Sequence, residues 1–164
     1  MKYLLDANVF IEAKNRHYAF DFCPAFWDWL DGAHAAGVVG SIDKIGAELR
    51  AGDDELAEWA TARASFFAAA DAAVIASLRQ TTAWATQAGF TTAAAATYAQ
   101  AGDSQLVAHG HAHGLTIITH EVAAPTLKKV KIPNACQALG VSCMSPYEML
   151  RIEGASFVLS RGTY

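Results

Sequence analysis

At 164 residues with 53% hydrophobic side chains, the chain can bury a sizeable core as one domain. A net charge of −4 excludes a general nucleic-acid coat, so contact with nucleic acid requires locally concentrated cations or bridging metal ions. No apolar run is long enough to cross a bilayer, and the short N-terminal apolar stretch, cut by Asp6, does not read as a signal peptide.

Tyr3-Leu4-Leu5 is too short for a helix and reads as a buried strand with Asp6 at its carboxyl end. In an open parallel sheet, that end faces the crevice where ligands bind. Residues 9–14 suit a helix, with Asn8 as its N-cap. An aromatic stretch over 15–23 contains Arg16 and His17. Pro24 opens a helix to about 36 with Phe26, Leu30 and Ala33 facing a core, and Gly37 ends it. Trp27 and Trp29 fall on different faces of that helix, so at least one meets solvent or a partner unless the aromatic stretch partly buries it, which is the favoured alternative.

Residues 38–42 predict a second buried strand, and Asp43 a cap for a helix to 51 that carries Ile45, Glu48 and Leu49. Asp53 is placed to cap an acidic helix over 54–64, read as a solvated face. A short strand is expected over 65–67, and helices over 71–87 and 91–99. Asp103, after Gly102, opens a helix ending at His113, with Gly114 as its stop. Residues 115–119 form a strand that runs into His120-Glu121. A loop over 122–127, the basic Lys128, Lys129 and Lys131, a helix over 133–139, a strand over 141–143 and a helix over 146–152 complete the chain. Alternating strands and helices predict a parallel α/β/α sheet. No internal repeat or linker interrupts it.

Four carboxylates hold suggestive places in this layout. Asp6 and Glu121 follow strands, Glu48 lies on the helix after the second strand, and Asp103 opens a helix. Each has an ordinary alternative: a cap for Asp103, a surface residue for Glu48, a loop acid for Glu121. Asp6 is the hardest to explain away, because an acid closing an apolar strand must be paired, capping or functional.

Leu4-Leu5-Asp6-Ala7-Asn8-Val9-Phe10-Ile11 resembles the opening strand of PIN-domain ribonucleases, the fold of VapC-type toxins. The helix with Glu48-Leu49 is similar to that family's second acidic position, Asp103-Ser104-Gln105-Leu106-Val107-Ala108 to its third, and Ile118-Thr119-His120-Glu121 to its fourth. The ordered set spans most of the chain. The stretch over 15–23 and the tail after Cys136 look like a less studied PIN-like branch. The fourth position departs from the pattern: the family usually carries Asp after Asn, and here His120-Glu121 stands.

The resemblance implies a three-layer α/β/α PIN-like fold over 1–164, with a central, mainly parallel sheet of about five short strands. It implies a Mg²⁺- or Mn²⁺-dependent endoribonuclease with Asp6, Glu48, Asp103 and Glu121 as metal ligands and catalytic residues. A toxin role with an antitoxin partner and a homodimer follow from the same resemblance. The chemistry is coherent, because clustered acids repel a phosphodiester unless hard cations bridge them to it. One such cation acidifies a bound water, and a second, if present about 4 Å away, stabilises the leaving oxygen; the resemblance implies in-line attack by that water, leaving a 5′-phosphate and a 3′-hydroxyl. Asn8, His120, Arg16 and the three lysines are candidate substrate contacts, against solvated-loop alternatives.

Other readings compete. His109 and His113, four residues apart, could pair on a metal, but histidines also suit a last helical turn. Cys23, Cys136 and Cys143 lack CxxC spacing and read as buried, reduced thiols of a cytoplasmic protein. Asp6-Ala7-Asn8-Val9 and Gly102-Asp103-Ser104 superficially resemble the loops of a haloacid dehalogenase-type phosphatase. That family needs an Asp where Asn8 stands, another where Val107 stands, and a strand before its metal loop. A PIN-like module that binds RNA or protein with little or no turnover is the non-enzymatic alternative.

Overall fold

The computed structural model describes residues 1–158. Its centre is β1 (Tyr3–Leu5), three side chains with almost no solvent exposure. β1 pairs in parallel with β2 (Val39–Ile42) on one side and β4 (Thr116–Ile118) on the other. Beyond them lie β3 (Phe67–Ala68) and β5 (Cys143–Met144), giving a parallel five-stranded sheet in the order β3-β2-β1-β4-β5. Strands buried on both faces need continuous apolar runs, which accounts for Tyr3-Leu4-Leu5 and Ile117-Ile118. The polar exception inside the sheet, Ser41, donates its hydroxyl to the Leu5 carbonyl at 2.6 Å.

Helices form the outer layers of a three-layer α/β/α arrangement: α1 (Ala7–Glu12), α2 (Pro24–Ala35), α3 (Asp43–Arg50), α4 (Glu55–Thr61), α5 (Ala72–Gln87), α6 (Thr92–Gln100), α7 (Gly102–His113), α8 (Ile132–Leu139) and α9 (Pro146–Ile152). Among them α7 is the most enclosed, packing on β2 and β4 and against α5, α6 and α8. Its small residues follow from that burial: a Cβ on Gly110 would stand 3.0 Å from Val141 and 3.1 Å from Ile117. Gly114, at φ 65°, ends α7 in the left-handed conformation that only glycine adopts without cost. Among the described residues, no helix is long and apolar enough to cross a membrane.

Several local expectations change. The cap of α1 is Asp6, with extended backbone, and Asn8 lies inside the first turn with its side chain turned to β4. Asp43 belongs to the first turn of α3, whose cap position is Ile42. Asp54, not Asp53, caps α4 by accepting from the Ala57 amide at 3.0 Å. That helix is no solvated face: Leu56, Trp59 and Ala60 are buried, with Trp59 against Phe10 and Phe66, and its acids lie on the opposite, exposed side. The strand expected over 65–67 is a 3₁₀ turn (Ala64–Phe66) leading into β3, and the last strand is shifted to Cys143–Met144.

After α1 the backbone widens into a π-helical segment, Ala13–His17, a turn type frequent at functional sites. The aromatic stretch that follows is folded back on α2. Tyr18 stacks on Phe26 with ring centres 4.4 Å apart, and Phe20 on Trp27 at 3.9 Å. Trp27 is thereby buried and donates to the Tyr18 carbonyl at 2.7 Å, while Trp29 is half-buried. The three cysteines are unbridged; only Cys136 is fully buried.

Candidate active site

Chain direction places the four acids at one end of the sheet. Asp6 follows β1, Glu121 lies three residues beyond β4, α3 leaves from the same end of β2, and α7 begins there before running back to β4. Asp6 is 5% exposed, and its Oδ2 accepts the Thr119 hydroxyl at 2.7 Å. Among the described residues it has no cationic partner. Burial, then the charges of Asp103 and Glu121, push its carboxyl up to about 7, against the pull of the Thr119 bond.

Thr119 holds this corner together. Besides donating to Asp6, its oxygen accepts from Asn8 Nδ2 at 2.9 Å and from the Glu121 amide at 3.0 Å. Asn8 Oδ1 in turn accepts the His120 amide at 3.0 Å. The start of α1 and the end of β4 are thus locked by side chains where strand pairing stops. Sequence reasoning missed Thr119. A hydroxyl at the last position of an apolar strand, level with Asp6, was the available signal.

Asp103, in the first turn of α7, is half-buried, and its carboxyl is raised by burial and by the charges of Glu121 and Glu48, against the pull of Lys129. Glu48 is exposed, with Oε2 3.7 Å from where a Cβ on Gly102 would stand. Lys44, Glu48, Gly102 and Asp103 line one cleft of about 440 Å³.

Glu121 stands at the same end but is differently engaged. Its Oε1 takes Lys129 at 3.1 Å and Lys131 at 3.0 Å, and its Oε2 accepts the Ile132 amide at 2.9 Å. Burial pushes its carboxyl up, but the amide and the two lysines outweigh it and hold it below the ordinary glutamate value. The sequence placed Glu121 with the other acids and the three lysines together as phosphate contacts. The structure instead ties two of those lysines to Glu121 and leaves Lys128 exposed.

Arg16, ion-paired to Glu12 at 3.1 Å, shares a cleft of about 490 Å³ with Asn8, His120, Glu121 and Lys131, so these candidate contacts do meet. His109 is buried on α7, and His113 pairs with Asp71 at 3.1 Å. Neither joins the acids. The Gly102-Asp103 turn follows helix α6, not the strand that the phosphatase pattern requires.

Oxygen donors of this kind suit a hard divalent cation. Asp6, buried and short of positive charge, and the Asp103–Glu48 pair fit such an ion by their chemistry. Glu121, with both oxygens engaged, does not fit as it lies. Among the described residues, no three His, Cys, Asp or Glu side chains stand close enough together to hold one ion.

A family described as "Domain of unknown function (DUF4411)" matches residues 3–157. No curated protein and no solved structure matches the chain.

Proposed function

The chain belongs to the DUF4411 family, and from the acids at its sheet edge we propose that it is a metal-dependent endoribonuclease. The observation that carries this reading is Asp6: a carboxylate at 5% exposure, without a cationic partner among the described residues, facing the charges of Asp103 and Glu121. Only the Thr119 hydroxyl and the Ala7 amide offset its burial among the described residues, so an arriving cation would stabilise its charged form. One or two of the carboxylates Asp6, Asp103 and Glu48 would hold Mg²⁺ or Mn²⁺, with waters completing its shell, and the bound ion would supply water activation and neutralise phosphate charge. Thr119 fixes the Asp6 carboxylate, and Lys128 and Arg16 offer exposed positive charge to the RNA backbone. Glu121 holds Lys129 and Lys131 beside the acids and sets where phosphate can approach.

The PIN-like resemblance extends this reading to the toxin of a cytoplasmic toxin–antitoxin pair acting as a homodimer. An adjacent small gene for a DNA-binding protein would support that extension. The engagement of Glu121 favours one second reading, a PIN-like module that docks RNA or protein with little or no turnover. Incubating the purified chain with a mixed RNA pool, with and without Mg²⁺, separates the two. The nuclease reading expects metal-dependent fragments; intact RNA in both supports the module.

A further inference from the structure

Beside the acids, three aromatic rings from distant parts of the chain converge. His17 comes from the π-helical segment, His120 from the turn after β4 and Tyr147 from the first turn of α9. Their ring centres lie 5.6 Å apart for His17–His120, 5.7 Å for His17–Tyr147 and 5.6 Å for His120–Tyr147. The Tyr147 hydroxyl and His17 Nε2 are hydrogen-bonded at 3.0 Å. Tyr147 is 37% exposed, and the other two rings are half-buried. These rings are not part of the main hydrophobic core.

Two clefts meet at this cluster. One, of about 590 Å³, includes Thr119, His120 and Tyr147 in its wall; the other is the Arg16 cleft described above. His120, Glu121 and Val122 border both. The backbone of His120 is fixed by Asn8, so its ring stands two hydrogen-bonded residues from Asp6. In the Arg16 cleft Glu12 pairs with Arg16 and Glu121 with Lys131, so its acidic and basic walls offset each other and a neutral ring meets no net charge there.

We propose that His17, His120 and Tyr147 form a base-stacking platform that takes unpaired bases of single-stranded RNA into the two clefts that His120 borders. Every base presents a π-face, so such a platform grips RNA without reading its sequence. It also requires an unpaired substrate, because bases inside a duplex cannot reach the rings. This inference rests on the reading of the chain as acting on RNA, and it adds the three side chains that would hold the bases.

The test compares binding of a short single-stranded RNA of mixed sequence with a ribose-phosphate strand of equal length that lacks bases. It uses the non-cleaving Asp6→Asn chain, and the unaltered chain in EDTA as a second, fully native host. The RNA is expected to bind about ten-fold more tightly than the abasic strand. Tyr147→Ala combined with His120→Ala is expected to remove that difference and leave abasic binding unchanged, while Tyr147→Phe retains it. Equal binding of the two strands, or a preference that survives the double alanine change, overturns the platform. Absence of binding by either strand overturns it as well. Failure of the nuclease reading is seen separately, as absence of Mg²⁺-dependent cleavage by the unaltered chain.

Discussion

Thr119 donates its hydroxyl hydrogen to Asp6 at 2.7 Å, across the gap where β1 and β4 stop pairing. This bond is the main support for charge on a carboxylate that burial would otherwise keep neutral. The same oxygen serves Asn8 and the Glu121 amide, so one small side chain orders three candidate site residues.

Thr119→Val keeps the shape of the side chain and removes all three bonds. It is expected to lower stability by about 3 kcal/mol. The loss should be larger at pH 8 than at pH 5, because the missing bond favours the ionised form of Asp6. Denaturant unfolding at the two pH values reads this directly. An equal loss at both would mean that the bond does not support the Asp6 charge.

Asp6 also makes a prediction in metal-free buffer. Its carboxyl is raised from 3.8 to about 7 in the folded chain, so its contribution to stability is complete below pH 3.8 and is lost as pH rises through 7. Asp6→Asn cannot ionise and does not suffer that loss. Relative to the parent, the variant should gain on the order of 4 kcal/mol between pH 4 and pH 8. Added Mg²⁺ should stabilise the parent more than the variant. A stability difference that stays flat with pH would show that Asp6 is not strained by its own charge.

Glu121→Gln tests whether this residue anchors lysines or holds metal. As an anchor, the change should cost about 1 kcal/mol at pH 7, since partly exposed ion pairs contribute little. Because its carboxyl is held below the ordinary value, that cost should vanish as the medium is acidified through the glutamate range. RNA cleavage should fall less than ten-fold. A fall as deep as that of Asp6→Asn would make Glu121 a metal ligand after all.

The strand-and-helix order and the placement of Asp6 were legible because they rest on local pattern: apolar runs for β1, β2 and β4, and turn residues such as Gly37 and Gly114. The engagement of Glu121 was not legible, because it depends on where Lys129 and Lys131 fold back after an intervening loop. Asn8 fitted a local cap, but a partner 111 residues away drew its side chain to Thr119 instead. The acids of α4 masked its buried face, which Trp59 shares with Phe10 and Trp27 from other elements. Tyr147 and His17 lie 130 positions apart, and no spacing rule connects them.

Asp6 and Asp103 are proposed to serve metal-dependent cleavage of RNA. The most direct test of that role is to follow a mixed RNA pool with the purified parent, Asp6→Asn and Asp103→Asn, in Mg²⁺ or Mn²⁺ and in EDTA, and to identify the new ends. Cleavage by the parent is expected only with metal, leaving 5′-phosphates and 3′-hydroxyls, with rates at least about 100-fold lower in both variants. Cleavage that persists in EDTA, variants as active as the parent, or RNA left intact by the parent in both metals would contradict it.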